Sequence, residues 1–322
     1  MADEKILLGV LLANGMVPAE ASDDLSLELL TGGFWNRVYR LRSKQLSNLD
    51  WVVKQFAEVP ANPMFPILPT AEYAALRFLQ GQQCAPEPIA FIADSPAGSL
   101  LVYEYVKGGH WNGDLKETAT LLARVHGIPI DSFAMNAFRK LPTDATDLLS
   151  HADEMLQRHG SVLSDSLRQW RPKVPMQTAH PTFKEALVHT DCGPGNMVSS
   201  PDGLRLIDWQ CPGIGDGLQD VLTFVSPAMQ VLYGYPVLTV AQEQQFFSAY
   251  FSALDEHPMD AQETFERLRS TRNSHHYRFA AYCAMRAQDI AASDEKTSRL
   301  YSVALQAEIQ LLRRLLSQGL VV

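Results

Sequence analysis

The sequence predicts an α+β protein in two lobes, a small antiparallel-sheet lobe followed by a larger, mainly helical one. Three observations carry this reading. Strand-patterned runs surround a single helix-patterned stretch between residues 25 and 105. A Gly108-Gly109 pair then interrupts the pattern, and beyond it helical periodicity dominates to the end of the 322-residue chain. The expected boundary divides 1–107 from 108–322.

Each element has a local reason. Residues 1–18 read as a short helix. Leu25, Leu27 and Leu29 alternate with polar neighbours, as a half-buried strand requires. A Gly32-Gly33 turn follows, Val38 to Leu41 resumes the strand pattern, and Trp51 to Phe56 forms a third run. The prolines between Pro60 and Pro69 cannot continue a sheet interior. Thr70 is the expected N-cap of a helix carrying Tyr73, Leu76 and Leu79 and closed by Gly81. Ile89–Ile92 and Leu100–Tyr105 are further strands. Leu115–His126, Asp144–His159 and Ser161–Trp170 are helical in pattern, as is nearly everything from residue 240; Leu305, Ile309, Leu312 and Leu316 form an apolar stripe near the end. One strand–loop–strand–loop unit, residues 186–216, interrupts the helices.

Composition narrows the function classes. A net charge of −9 disfavours a broad nucleic-acid-binding surface. No run approaches the ~20 apolar residues of a membrane span. The start, Met1-Ala2-Asp3-Glu4-Lys5, carries acid where a signal peptide carries base, and the four cysteines lack metal-ligand spacing. The expectation is a cytoplasmic protein with reduced thiols, no nucleic-acid partner and no membrane partner. A homodimer through the C-terminal helices is compatible with the sequence but not demanded by it.

The chemistry concentrates in residues 186–209. Val188-His189-Thr190-Asp191-Cys192-Gly193-Pro194-Gly195-Asn196 is a glycine-proline loop between strands, and Leu204-Arg205-Leu206-Ile207-Asp208-Trp209 follows a Pro201-Asp202-Gly203 turn. A hairpin of this kind delivers two carboxylates and one carboxamide, Asp191, Asp208 and Asn196. Those are the groups phosphoryl transfer needs: an oxygen base beside a hydroxyl, and hard oxygen ligands for Mg²⁺. A lone Asp in a turn would be an ordinary turn residue. The ordered set His-x-Asp-x4-Asn, strand, turn, strand, Asp is far more specific.

These motifs resemble the "HGDxxPGN … IDW" signature of the aminoglycoside phosphotransferase and choline kinase families, small-molecule kinases related to the protein kinases. The resemblance implies a bilobal protein-kinase-like fold, use of ATP and Mg²⁺, and transfer of the γ-phosphate to a small-molecule hydroxyl acceptor. It implies that Asp191 is the catalytic base or hydroxyl-orienting group, that Asn196 and Asp208 ligate the metal, and that His189 supports the loop. The chain departs from the signature at Thr190, where glycine is usual, and at Cys192-Gly193.

The first lobe supplies matching parts. Thr31-Gly32-Gly33-Phe34-Trp35-Asn36-Arg37-Val38-Tyr39 is similar to the "TGGxxNxVY" phosphate loop of choline and thiamine kinase-like proteins, which places Gly32, Gly33 and Asn36 at the nucleotide. Lys54 in an apolar strand and Glu72 in the following helix fit the lysine–glutamate pair that holds phosphates in this fold. By the same resemblance the backbone from Glu104 to Val106 meets adenine, with Val38, Val52 and Ile207 as walls. Leu121 to His126 is similar to the family's "LARLH" packing helix, and Gly215-Asp216-Gly217-Leu218-Gln219-Asp220 to its "GDPxxDLA", where Asp216 and Asp220 are expected to cap a helix and support the catalytic loop. Trp209, His275, His276, Tyr277, Tyr282 and Asp289 are candidates for the acceptor side, and the first-lobe likeness suggests an amino alcohol such as choline or a related metabolite. The alternative is a catalytically inactive nucleotide-binding protein of the same fold.

Overall fold

A computed structural model describes residues 2–18, 24–30, 35–46, 48–58, 62–158, 162–174, 183–254 and 261–318. The chain forms two compact units. The first comprises 1–109 together with 198–212, and the second comprises 110–197 and 213–322.

In the first unit, strands β1 (Leu25–Leu29), β2 (Arg37–Ser43), β3 (Asp50–Gln55), β4 (Pro88–Ile92) and β5 (Leu100–Glu104) form one antiparallel sheet in the order β1-β2-β3-β5-β4. β3 is therefore central, and its two faces serve different purposes. Tyr39, Val53 and Val102 are aligned across three strands and, with Leu41 and Leu100, pack against Leu7, Val10 and Leu11 of helix α1 (Ala2–Ala13). The strand period of two turns the next residue, Lys54, to the opposite face, in register with Val38 and Leu101. Helix α2 (Pro69–Phe78) carries Glu72 in its first turn.

The start of α2 corrects the expected cap. Leu68 is the N-cap with no side-chain hydrogen bond, Pro69 opens the helix and Thr70 lies inside it. Proline suits a first-turn position because its missing N–H has no intrahelical acceptor there and its φ is already helical. The helix ends at Phe78, short of Gly81, which takes a φ of +76° in the following turn.

The first unit also contains a hairpin, β9 (Met197–Ser200) and β10 (Gly203–Leu206), extended by the short β6 (Gly109–His110) in the order β10-β9-β6. Gly108 is required by close approach: a Cβ there would lie 2.3 Å from the Ser199 carbonyl oxygen.

The second unit is mainly helical: α3 (Leu115–Gly127), α4 (Ser132–Ala137), α5 (Ala145–Arg158), α6 (Val162–Arg168), α7 (Leu218–Val225), α8 (Pro227–Leu232), α9 (Val240–Ala253), α10 (Ala261–Asp289) and α11 (Glu295–Gln318). A small sheet orders β7 (Arg139–Lys140), β11 (Gly213–Asp216) and β8 (Glu185–Val188) as β7-β11-β8. Buried carboxylates tie its helices together. Glu308 of α11 accepts from Ser226 Oγ and from the Ala228 amide at 3.2 Å, and pairs with His276 Nδ1 at 3.0 Å. Glu243 of α9 receives Arg272 at 2.7 Å and Arg314 at 2.9 Å. Such groups tolerate burial because each is paired and hydrogen-bonded. Among the described residues, no helix is long and apolar enough to cross a membrane.

Candidate active site

The candidate residues fall into two clusters, one in each unit. In the first, Lys54 Nζ reaches both Glu72 oxygens at 2.8 and 2.7 Å and Asp208 Oδ1 at 2.5 Å. Lys54 and Glu72 side chains are 2% and 1% exposed, whereas Asp208 is 36% exposed. The two partners thus differ: Glu72 is an internal anchor, and Asp208 opens to solvent. Burial pushes the Glu72 carboxyl up to about 7 against the pull of Lys54. Lys54 is itself held well above the ordinary lysine value: burial opposes its charge, and the Asp208 and Glu72 carboxylates outweigh it. Asp208 takes a φ of +61°, a region Asp tolerates better than most residues.

Asn36 is engaged in the same unit. Its Nδ2 donates to Gln210 Oε1 at 3.1 Å and its Oδ1 accepts the Ala57 amide at 3.1 Å, which ties the start of β2 to the segment just beyond Asp208. Gly32 and Gly33 lie outside the described residues. At the end of β5, the Glu104 amide donates to the Glu87 carbonyl and the Tyr105 amide to the Asp50 carbonyl, each at 2.9 Å, so Val106 carries the next amide along the chain.

The second cluster is the loop after β8. Buried Asp220, on α7, accepts the His189 and Thr190 amides, one on each carboxylate oxygen, both at 2.8 Å. Burial would raise its carboxyl, but the His126 hydrogen bond and the backbone amide of His189 hold it below the ordinary value. His126 Nε2 meets Asp220 Oδ2 at 3.1 Å and its Nδ1 meets the Tyr250 hydroxyl at 2.8 Å. His189 Nδ1 accepts the Asp191 amide at 3.2 Å, which makes this histidine a buried support of the loop. Asn196 sits in a 3-10 turn, where its Nδ2 donates to the Asp191 carbonyl at 2.7 Å and to the Tyr233 hydroxyl at 2.9 Å. That hydroxyl in turn donates to Asp191 Oδ1 at 3.1 Å. The Cys192 thiol donates to the Asp220 carbonyl at 2.9 Å, and burial followed by the Asp220 charge keeps it protonated.

Thr190 has a φ of +71°, the left-handed conformation that explains why the related signature has glycine at this place. The Asp220 carboxylate holds the strained residue by its amide. Asp216 accepts the Leu218 amide at 3.0 Å in the first turn of α7 and pairs with Arg267 at 3.0 Å.

The acceptor-side candidates are mostly buried. Trp209, in the first unit, is fully buried with Nε1 donating to the Leu206 carbonyl. His275, His276, Tyr277 and Tyr282 are buried in the second unit; His276 holds Glu308 and Tyr282 packs edge-on against Tyr301. Asp289 pairs with Arg286 at 3.6 Å. The sequence reading missed Tyr233, which lies outside any motif, and the polar role of His126, whose helix had only a packing expectation.

Known structures with the same architecture include choline kinase from Cryptosporidium parvum Iowa II (14% identity, 98% of this chain and 97% of that one covered, TM-score 0.69). A choline/ethanolamine kinase family protein from Mesorhizobium loti is similar at 17% identity, with 99% and 94% covered and a TM-score of 0.62. Spectinomycin phosphotransferase in complex with ADP and spectinomycin is similar at 13% identity, with 88% of each chain covered and a TM-score of 0.54. No curated protein sequence matches the chain significantly. These likenesses and the observed topology define an α+β protein of the protein-kinase-like class. Residues 26–263 match the APH family, the phosphotransferase enzyme family, and the chain belongs to it.

Proposed function

We propose that the protein is an ATP- and Mg²⁺-dependent kinase that moves the γ-phosphate to a hydroxyl of a small molecule, with residues 1–107 serving the nucleotide and 108–322 carrying the catalytic loop and acceptor site. The observation that carries this reading is the Lys54–Glu72–Asp208 cluster at 2.5–2.8 Å, a buried cation whose solvent-facing carboxylate follows a family-type hairpin.

In this reading Lys54 positions the α- and β-phosphates and Glu72 fixes the lysine. Gly32, Gly33 and Asn36 belong to the covering loop, and the backbone of Glu104 and Val106 meets adenine. Asp191 accepts or orients the acceptor hydroxyl proton as oxygen attacks the γ-phosphorus, and ADP leaves. Asn196 and Asp208 suit Mg²⁺ as hard oxygen donors. Both Asn196 amide hydrogens are spent on Asp191 and Tyr233, which leaves its Oδ1 as the acceptor, and one Asp208 oxygen faces Lys54 while the other remains. Bound Mg²⁺ would neutralise phosphate charge.

An amino alcohol such as choline remains the acceptor suggested by the first-lobe likeness. The buried aromatics named above do not supply an exposed cage for its ammonium, so resemblance alone supports that choice. The test is ADP release from Mg-ATP across amino alcohols, sugars and aminoglycosides. Acceptor-dependent release supports the kinase and names its substrate. Mg-ATP binding with no transfer to any acceptor favours the inactive nucleotide-binding alternative.

A further inference from the structure

We propose that Tyr233 is a positioning residue for phosphoryl transfer, holding the Asp191 carboxylate and the Asn196 carboxamide in one hydrogen-bonded chain. The proposal rests on the catalytic reading above and adds a residue that no motif identifies.

The geometry is specific at both ends of the side chain. The hydroxyl accepts from Asn196 Nδ2 at 2.9 Å and donates to Asp191 Oδ1 at 3.1 Å. Asn196 Nδ2 also donates to the Asp191 carbonyl at 2.7 Å, so the carboxamide cannot flip without losing both bonds. With Oδ1 engaged by the phenol, the Asp191 carboxylate is held in one orientation, and with Nδ2 engaged the Asn196 carboxamide would turn its Oδ1 to a bound metal. One hydroxyl thus sets the orientation of two groups that serve opposite sides of the same reaction.

The ring is fixed as firmly as the hydroxyl. A Cβ on Gly193 would lie 2.2 Å from Tyr233 Cε2, and a Cβ on Gly195 would lie 2.0 Å from Cδ1. The two glycines therefore seat opposite edges of one ring. Gly193 has an ordinary φ of −69°, so its lack of a side chain serves space rather than backbone conformation. This gives a physical reason for one of the three residues at which the loop departs from the family signature. The departure at 193 and the tyrosine 40 positions later form one device. Tyr233 itself follows α8, where its amide closes the last turn on the Met229 carbonyl at 3.1 Å.

Tyr233→Phe keeps the ring on both glycines and removes only the hydroxyl. The expected result is a kcat lower by about tenfold with KM for the acceptor changed by less than about twofold, the pattern of a lost orienting contact. Mn²⁺ binding to the protein with a non-hydrolysable ATP analogue, read by electron paramagnetic resonance, is expected to weaken by at least about tenfold, as for other groups that orient a metal ligand. Gly193→Ala, which retains the hydroxyl but displaces the ring, is expected to give the same kcat loss. Unchanged kcat and unchanged Mn²⁺ affinity in Tyr233→Phe would overturn the proposal, as would a Gly193→Ala enzyme of full activity. If the wild type transfers phosphate to no acceptor, the kinase reading fails by itself. Weakened Mn²⁺ binding in Tyr233→Phe would then still support the positioning role at Asn196, and equal binding would remove it.

Discussion

The two halves of the candidate machinery are organised by different forces. In the first unit the key groups hold one another directly: Lys54 is clamped between two carboxylates by charge. In the second unit hydrogen bonds surround Asp191. Its loop is fixed by backbone amides on Asp220, by His189 and by Tyr233. The difference matches the tasks each unit would have. A phosphate-binding cation needs a fixed position and can trade one anionic partner for another. A base must keep its carboxylate available, so neutral donors and the backbone orient it instead.

The largest effect expected from breaking this contrast is at the proposed base. Asp191→Asn should lower kcat by about 10²–10⁴-fold, the usual worth of a general base, with ATP affinity little changed in a binding titration. Next comes the charge clamp. Lys54→Met leaves Glu72 buried without its cation and should cost about 3–5 kcal/mol in denaturant unfolding, besides lost activity. Replacing Glu72 by Leu in the same protein should restore much of the stability and none of the activity. A double mutant no more stable than Lys54→Met would contradict a clamp held by charge.

Asp220 probes the other cluster. Asp220→Asn should destabilise the protein by about 1–3 kcal/mol near neutral pH, because two buried amides and His126 lose a charged acceptor. The Asp220 carboxyl lies below its ordinary value of 3.8 in the folded protein. Its contribution is therefore present above that ordinary value and lost as pH falls through the lower, folded one. Wild type and variant should accordingly converge in stability on acidification below pH 3.8, and a gap that widens there would be inconsistent with the assignment. The smallest effect is at Thr190, where a β-branched residue has a φ of +71°. Thr190→Gly should relieve strain by more than glycine's entropy costs and raise stability by about 1 kcal/mol, seen as a higher unfolding midpoint.

The contrast also explains what could be read from the sequence. The sheet strands follow local patterns: Leu25, Leu27 and Leu29 alternate, and β1 is where that alternation places it, whereas the pairing of Lys54 with Glu72 was legible only through the family resemblance. The order of His189, Asp191, Asn196 and Asp208 along the chain carries the hairpin, because each residue has a fixed place in one short supersecondary unit. The N-cap of α2 was misplaced by two residues because Pro69 can itself open a helix, so the hydroxyl of Thr70 was not needed. Tyr233 and His126 were not legible as polar partners of the loop. They reach Asp191 and Asp220 from 42 and 94 positions away, and no periodicity links such distances. His276 and Tyr282 were candidates for substrate contacts because aromatic and polar groups on helices have the same pattern whether they face a ligand or the core, and both are buried.

The most direct test of the account is single-turnover transfer of radiolabelled γ-phosphate from Mg-ATP to a hydroxyl acceptor by wild type and Asp191→Asn, with ATP binding measured on both. The account predicts labelled product from the wild type, almost none from the variant, and similar ATP affinity. Equal transfer by the two proteins would contradict it.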